Sequence, residues 1–187
     1  ALAYYETLPL KAQDEADQRR QCQALLRVGS VLIRQGHLAE SRRAYERALA
    51  ISSSHADRSP LWGACDLAAR LSLAELDQEE GAYEKALQGF RTLLVPAERL
   101  VREIPGDAGA VDSLLSLSYD AGQLLYERGE ARAAQQELEQ GLARVRAMAP
   151  EMQAHPKVRE HVFWHDTFLG HAADALGDGI LAETRYR

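Results

Sequence analysis

An all-α fold built from stacked antiparallel helix pairs is what this sequence predicts, and three observations carry that prediction. The first is composition. Of 187 residues, 31 are Ala, 27 Leu, 19 Arg, 17 Glu and 3 Lys, the make-up of long packed helices. Val, Ile and Thr total only 16, too few to furnish the half-buried pleated faces of strands. An all-β fold is excluded on that ground, and a parallel-sheet nucleotide-binding domain is disfavoured. The second observation is a register of glycines, Gly36, Gly81, Gly129 and Gly177, at spacings of 45, 48 and 48 residues. The third is the set of columns that travel with them. Small residues stand seven positions before each glycine (Gly29, Ala74, Gly122, Gly170) and five after (Ser41, Ala86, Ala134, Ala182). Large ones stand nine after (Tyr45, Phe90, Leu138, Tyr186).

Each column has a mechanical reason. A glycine takes the left-handed conformation that ends a helix without steric cost. Small residues on both sides of the turn let two helices approach closely, and the large residue fills the gap that remains. Two antiparallel helices joined by a short turn use all of these positions at once. Such a pair cannot bury its apolar face alone, so successive pairs stack into a solenoid.

Taken in order, the helices are expected near 15–35, 38–52, 60–79, 83–104, 108–128, 131–148 and 157–176. Ala1–Leu8 parallels Ala86–Leu93, so the chain is expected to begin partway through a repeat and, at Tyr186-Arg187, to end partway through another. Ser59-Pro60 reads as N-cap and first helical residue. Asp107 caps the helix that follows the break at Pro105-Gly106. Pro96 is expected to kink its helix or mark a short break, and Pro150 and Pro156 bracket the other linker. Cys22 and Cys65 sit in apolar helical patterns and read as buried free thiols, which suits a reducing compartment. Ala1 is not an initiator methionine, so the segment is expected to belong to a longer protein. The Arg-over-Lys and Ala/Leu bias suggests a GC-rich, bacterial genome.

The stretches Gly29-Ser30-Val31-Leu32-Ile33-Arg34-Gln35-Gly36-His37-Leu38-Ala39-Glu40-Ser41, Gly81-Ala82-Tyr83-Glu84-Lys85-Ala86-Leu87 and Ala121-Gly122-Gln123-Leu124-Leu125-Tyr126-Glu127-Arg128-Gly129 resemble the tetratricopeptide repeat (TPR). The resemblance implies a right-handed α-solenoid of a long-helix kind, since the usual period of about 34 residues is exceeded here by roughly three helical turns. It makes residues 1–187 one solenoid segment: 1–19 the end of a preceding repeat, then repeats at 20–58, 59–106 and 107–156, and a truncated repeat at 157–187.

Enzymatic constellations are weak. His161 and His165 are four apart on one helix, the spacing of a zinc half-site, but the glutamate of a His-Glu-x-x-His motif is missing and His171 lies on another side. A solvated or partly buried helix face is the favoured reading, with no metal and no cofactor. Phosphate-cradling loops are absent, and the carboxylate pairs Glu79-Glu80 and Glu137/Glu139 lack the apolar surroundings that would raise a pKa. No catalytic residue is assigned, so the segment is read as not an enzyme.

Recognition remains. The resemblance implies that the first helix of each pair lines a concave surface that holds a peptide or a partner helix. Its stripe is Gln23, Leu26, Arg27, Ser30, Ile33 and Arg34 in the first repeat, then Leu71, Ser72, Glu75, Gln78 and Glu79. It continues as Tyr119, Asp120, Gln123, Tyr126 and Glu127, then Trp164, Thr167, Phe168, His171 and Asp174. The partner-binding groove is drawn from Arg27, Ser30, Arg34, Glu75, Tyr119, Gln123, Tyr126, Trp164, Phe168 and His171. Exposed aromatics flanked by polar groups are the composition of interface hot spots; the competing reading is that these rings pack against the extra turns or a following repeat. The family's carboxylate clamp is missing, its places being taken by Leu26, Ser30, Ser72, Ser116 and Asp120. The partner is therefore expected to be a protein or peptide, in the cytoplasm, bound by a scaffold or regulatory module. Nucleic acid is disfavoured by the net charge of −6 and pI near 5.5, and a membrane by the lack of a long apolar run. The alternative is a homo-oligomerising or intramolecular sensor module, covering the apolar columns Leu2, Tyr5 and Leu8 and Ile180, Leu181 and Tyr186.

Overall fold

The computed structural model describes residues 14–55 and 59–186. The expected parallel between residues 1–8 and 86–93, with its apolar column Leu2, Tyr5 and Leu8, lies outside the described residues. Helices occupy Glu15–Arg34 (α1), Leu38–Ser53 (α2), Pro60–Glu79 (α3), Tyr83–Glu103 (α4) and Ala108–Glu127 (α5). They continue with Ala131–Arg146 (α6), Pro150–Gln153 (α7), Pro156–Ala175 (α8) and Gly179–Tyr186 (α9). No strand occurs among the described residues. The chain divides into two compact units, 1–89 and 90–187, and the division falls inside α4 rather than at a linker.

The turns are built alike. Gly36, Gly81, Gly129 and Gly177 all have φ between 78° and 80°. Each closes the helix before it with a paired set of backbone hydrogen bonds. At the first, the N–H of Gly36 donates to the Ile33 carbonyl at 2.8 Å and that of His37 to the Leu32 carbonyl at 2.9 Å. The same two bonds recur at Gly81-Ala82, Gly129-Glu130 and Gly177-Asp178. This is the Schellman closure, and it requires φ > 0 at the residue glycine occupies. The next helix starts at once, so each pair is antiparallel with almost no loop.

At two of the four turns the packing columns do what their spacing predicts. In the first unit a Cβ on Gly29 would collide with the Tyr45 ring, and Ser41 Oγ donates to the Gly29 carbonyl at 2.9 Å. In the second unit a Cβ on Gly122 would lie 2.5 Å from Leu138 Cγ. Gly29, Gly122 and Gly170 are all buried. Leu138 is itself fully buried and cannot swing aside. Gly122→Ala is therefore expected to destabilise by about 1–2 kcal/mol in urea unfolding, overpacking outweighing the gain in helix propensity. Leu138→Val in the same chain should recover part of that loss; additive costs would mean the two side chains do not meet.

In the first unit α1 packs on α2, α2 on α3, and α1 on α3, which is a helix pair covered by the next first helix. Its core holds Cys22, Leu25, Ala44, Ala48, Ile51, Trp62, Cys65 and Ala69. In the second unit α5 packs on α6 and α8 on both, with α9 returning along α8. Asp107 caps α5 as expected, accepting from the Ala110 N–H at 2.8 Å. Ser59 precedes Pro60 in extended conformation but makes no side-chain cap bond. Pro96 does not break α4: its ring lies on the exposed side, so no packed neighbour is displaced. The linker between Pro150 and Pro156 contains the short helix α7, which sequence periodicity over four residues could not reveal.

Buried carboxylates join the second helices and their neighbours. Asp77, on α3, accepts from Arg42 on α2 at 2.6 Å and from Lys85 at 3.0 Å, while Glu80 takes the same guanidinium at 2.7 Å. Within the second unit Arg91 pairs with Glu137 at 2.7 Å and Arg144 with Glu98 at 3.0 Å. Asp77 and Glu137 are buried, and a buried charge without a partner is costly, so their pairs set register between the helices they join.

Candidate ligand-binding face

The second unit carries the most organised surface feature. Tyr119 and Tyr126 stand two turns apart on α5, and Phe168 and His171 stand about one turn apart on α8. Packing of α8 against α5 threads them together. The Phe168 ring stands edge-on to Tyr119 (centroids 5.5 Å apart, 88°) and to Tyr126 (5.9 Å, 85°). His171 adds to the far end, 5.9 Å from Tyr126 and 5.5 Å from Phe168. All four rings are half-buried. Their base is fixed by the core, because Tyr119 and Phe168 pack on Leu138, Leu142 and Leu169.

Trp164 belongs to the same helix face but not to this ladder. It is 42% exposed and meets Phe163, itself 61% exposed, at 5.1 Å. Phe163 was not singled out by the periodicity, since it stands one residue off the expected stripe. Gln123 lies between the tyrosines and donates to Glu127 at 2.7 Å. Burial, followed by the charges of Asp120 and Glu127, pushes the Tyr119 hydroxyl up to about 12. Beyond Tyr126 opens a cleft of about 420 Å³ bounded by Gly129, Arg132, Ala175 and Leu176. Its walls come from two helix pairs, so no local sequence signal marks it.

In the first unit Arg27, Ser30 and Arg34 lie exposed along α1, and Glu75 is half-buried on α3. Glu75 adds its charge near the buried Tyr45 hydroxyl, which burial already pushes above the ordinary tyrosine value; Ser41 and Ser72 hydrogen-bond that hydroxyl. Two members of the wider stripe are corrected. Leu71 is 6% exposed and belongs to the core, because it turns to the inner side of α3. Leu26 likewise packs against the core cluster.

The two histidines of the zinc-like spacing diverge. His161 turns its Nε2 to Asp112 Oδ1 at 3.0 Å, and that bond, with Lys157 nearby, holds the Asp112 carboxyl below its usual range. His165 donates from Nδ1 to the His161 carbonyl at 2.7 Å. That leaves Nε2 with the lone pair, buried without a partner against the backbone of Gly141, where a Cβ would collide with it. Among the described residues no group of three or more His, Cys, Asp or Glu is placed to hold a metal ion. Cys22 and Cys65 are both buried and free. Cys22 Sγ donates to the Ala48 carbonyl at 3.5 Å. Interaction with Cys65, reinforced by burial, pushes the Cys22 thiol up, whereas the same interaction draws Cys65 down against the opposing effect of burial.

No protein-family model matches the sequence, and no curated protein matches it. Among solved structures the chain is similar to BtubC (BKLC) from P. vanneervenii, with a TM-score of 0.69 and 19% identity. The likeness covers 98% of this chain and 65% of that one, so this chain spans less than two thirds of its length. The fold is all-α and solenoid-like. At this identity the likeness speaks to that fold alone. No helix among the described residues is long and apolar enough to cross a membrane.

Proposed function

We propose that the protein is a non-catalytic, tetratricopeptide-like scaffold or regulatory module that binds another protein or a peptide along the first helices of its repeats. The observation that carries this reading is the ladder of Tyr119, Phe168, Tyr126 and His171, half-buried yet open along one side. Aromatic rings offer large contact area at little entropic cost, and rings already braced against a core lose least on binding. In the first unit Arg27, Ser30 and Arg34 lie exposed along α1 and offer polar contacts of their own to a bound segment. Two free thiols in the core fit a reducing compartment, and we assign the protein to the cytoplasm on that ground.

A random peptide library displayed on phage and panned on this chain tests the reading. Selected binders should lose at least about tenfold in affinity to the Tyr126→Ala protein, the scale of a hot-spot truncation. The melting temperature of that variant should fall by only a few degrees, since Tyr126 sits at the edge of the core. Binders that hold equally well to both proteins would move the site away from the ladder.

A second reading, self-association, draws on the apolar exposure of Phe163, Trp164, Leu176 and Ile180, the last 83% exposed. Sedimentation velocity over a wide concentration range decides it: a dimer that dissociates on Ile180→Lys supports this reading, and a monomer throughout removes it.

A further inference from the structure

The ladder has one chemical bias beyond being aromatic, and it indicates what kind of side chain the face would hold. Tyr126 and His171 are tilted by only 31° from one another, and Phe168 stands at 82–85° to both. Three rings therefore form an open corner with π-faces and a perpendicular wall. Along the two helix stretches that carry the rings, the Asp, Glu, Lys and Arg charges are of one sign. Residues 119–127 include Asp120 and Glu127, residues 163–175 include Asp166 and Asp174, and neither stretch contains a lysine or arginine. Asp166 is engaged by Arg185 at 2.9 Å. Glu127 is exposed and accepts from the neutral amide of Gln123. Arg128, the basic residue next along the chain, turns to Glu130 at 3.1 Å, and Arg132 lines the cleft beyond Tyr126.

We propose that this corner receives a cation, namely an arginine or lysine side chain of a peptide partner, seated against Tyr126 and Phe168 with its charge toward Glu127. The proposal rests on the peptide-binding reading and adds the chemistry of the bound residue. Ring faces present negative charge to a cation, and partial desolvation strengthens that attraction. Carboxylates at the rim steer the cation in and reject acidic segments. Arginine is the better fit, because its planar guanidinium can stack on one ring while its edge bonds a carboxylate. The Tyr119 hydroxyl is pushed up first by burial and then by the charges of Asp120 and Glu127, and that second contribution agrees with a negative field at this face.

The test starts from peptides panned on the intact chain. The tightest binder is resynthesised with each arginine replaced by citrulline, which keeps the shape and removes the charge. Both peptides are titrated by fluorescence anisotropy against the wild-type, Glu127→Gln and Tyr126→Ala proteins at low and at physiological salt. The expected result is enrichment of Arg or Lys among the binders and about 5- to 30-fold weaker binding of the citrulline peptide. Glu127→Gln should weaken the arginine peptide and leave the citrulline peptide unchanged, and salt should weaken only the former. Binders that need Tyr126 but lack a basic residue, or that ignore the citrulline exchange, would overturn the cation and leave the peptide-binding face standing. A failure to select any Tyr126-dependent binder would overturn both. Should Tyr126→Ala unfold, Tyr126→Leu, which keeps bulk beside Phe168, takes its place.

Discussion

Trp62→Ala is expected to cost about 3–5 kcal/mol, the range for emptying an aromatic site in a packed core. Trp62 enters in the first turn of α3 and is fully buried. Its indole N–H donates to Glu15 Oε1 on α1 at 2.6 Å, and its ring stacks on His55 at 4.6 Å and 22°. One side chain thus ties α1, the end of α2 and α3 together in the first unit. Removal leaves a cavity among Cys22, Leu25 and Cys65 and deprives Glu15 of its bond. The measurement is urea unfolding followed by far-UV circular dichroism. Trp62→Phe should cost clearly less, since most of the ring volume stays and only the hydrogen bond and one ring are lost. A cost for Trp62→Ala under about 1 kcal/mol would place the indole outside the core.

Stability should also fall steeply on mild acidification, and His165 supplies the reason. Burial, reinforced by the charges of His161 and Arg144, pushes its imidazole down from 6.5 to about 4, against the opposing hydrogen bond to the His161 carbonyl. The folded pKa is depressed, so between about 4 and 6.5 the unfolded chain binds a proton that the folded chain refuses. Stability is then fully present above the unfolded value and is lost as pH falls toward the folded one. The loss approaches about 3 kcal/mol at the acid end of that window. Physically, protonation would bury a charge at Nε2, which lies against Gly141 with no hydrogen-bond acceptor beside it. His165→Leu should flatten the pH dependence between about 4 and 7 in urea midpoints while leaving other titrating groups in place. An unchanged slope in that variant would show that His165 charges freely in the fold.

How much of this was legible beforehand follows from how local each cause is. The turn at Gly36 needs only a positive φ and two backbone bonds within six residues, so one glycine announces it. The contact of Gly29 with Tyr45 spans a single hairpin, and a fixed offset from the turn locates both partners. Asp107 caps its helix through an amide three residues away. By contrast, the pairing of Tyr119 and Tyr126 with Phe168 joins residues more than forty positions apart. Sequence spacing placed those rings on matching stripes, yet their edge-on geometry depends on how closely α8 approaches α5. The same holds for Trp164, whose stripe position was readable but whose neighbour, Phe163, was not.

Helix pairs, their turns and the small residues at their crossings are thus properties of the chain itself, because each is decided by backbone sterics over one hairpin. Which flank of a first helix faces the interior was decided only by tertiary packing. Neighbouring residues on a helix point about 100° apart, so a small change in the angle of the covering helix buries Leu71, leaves Arg27 and Arg34 exposed, and turns His161 and His165 to different partners. A stripe drawn on one helix cannot contain that angle; it belongs to the pair of surfaces that meet.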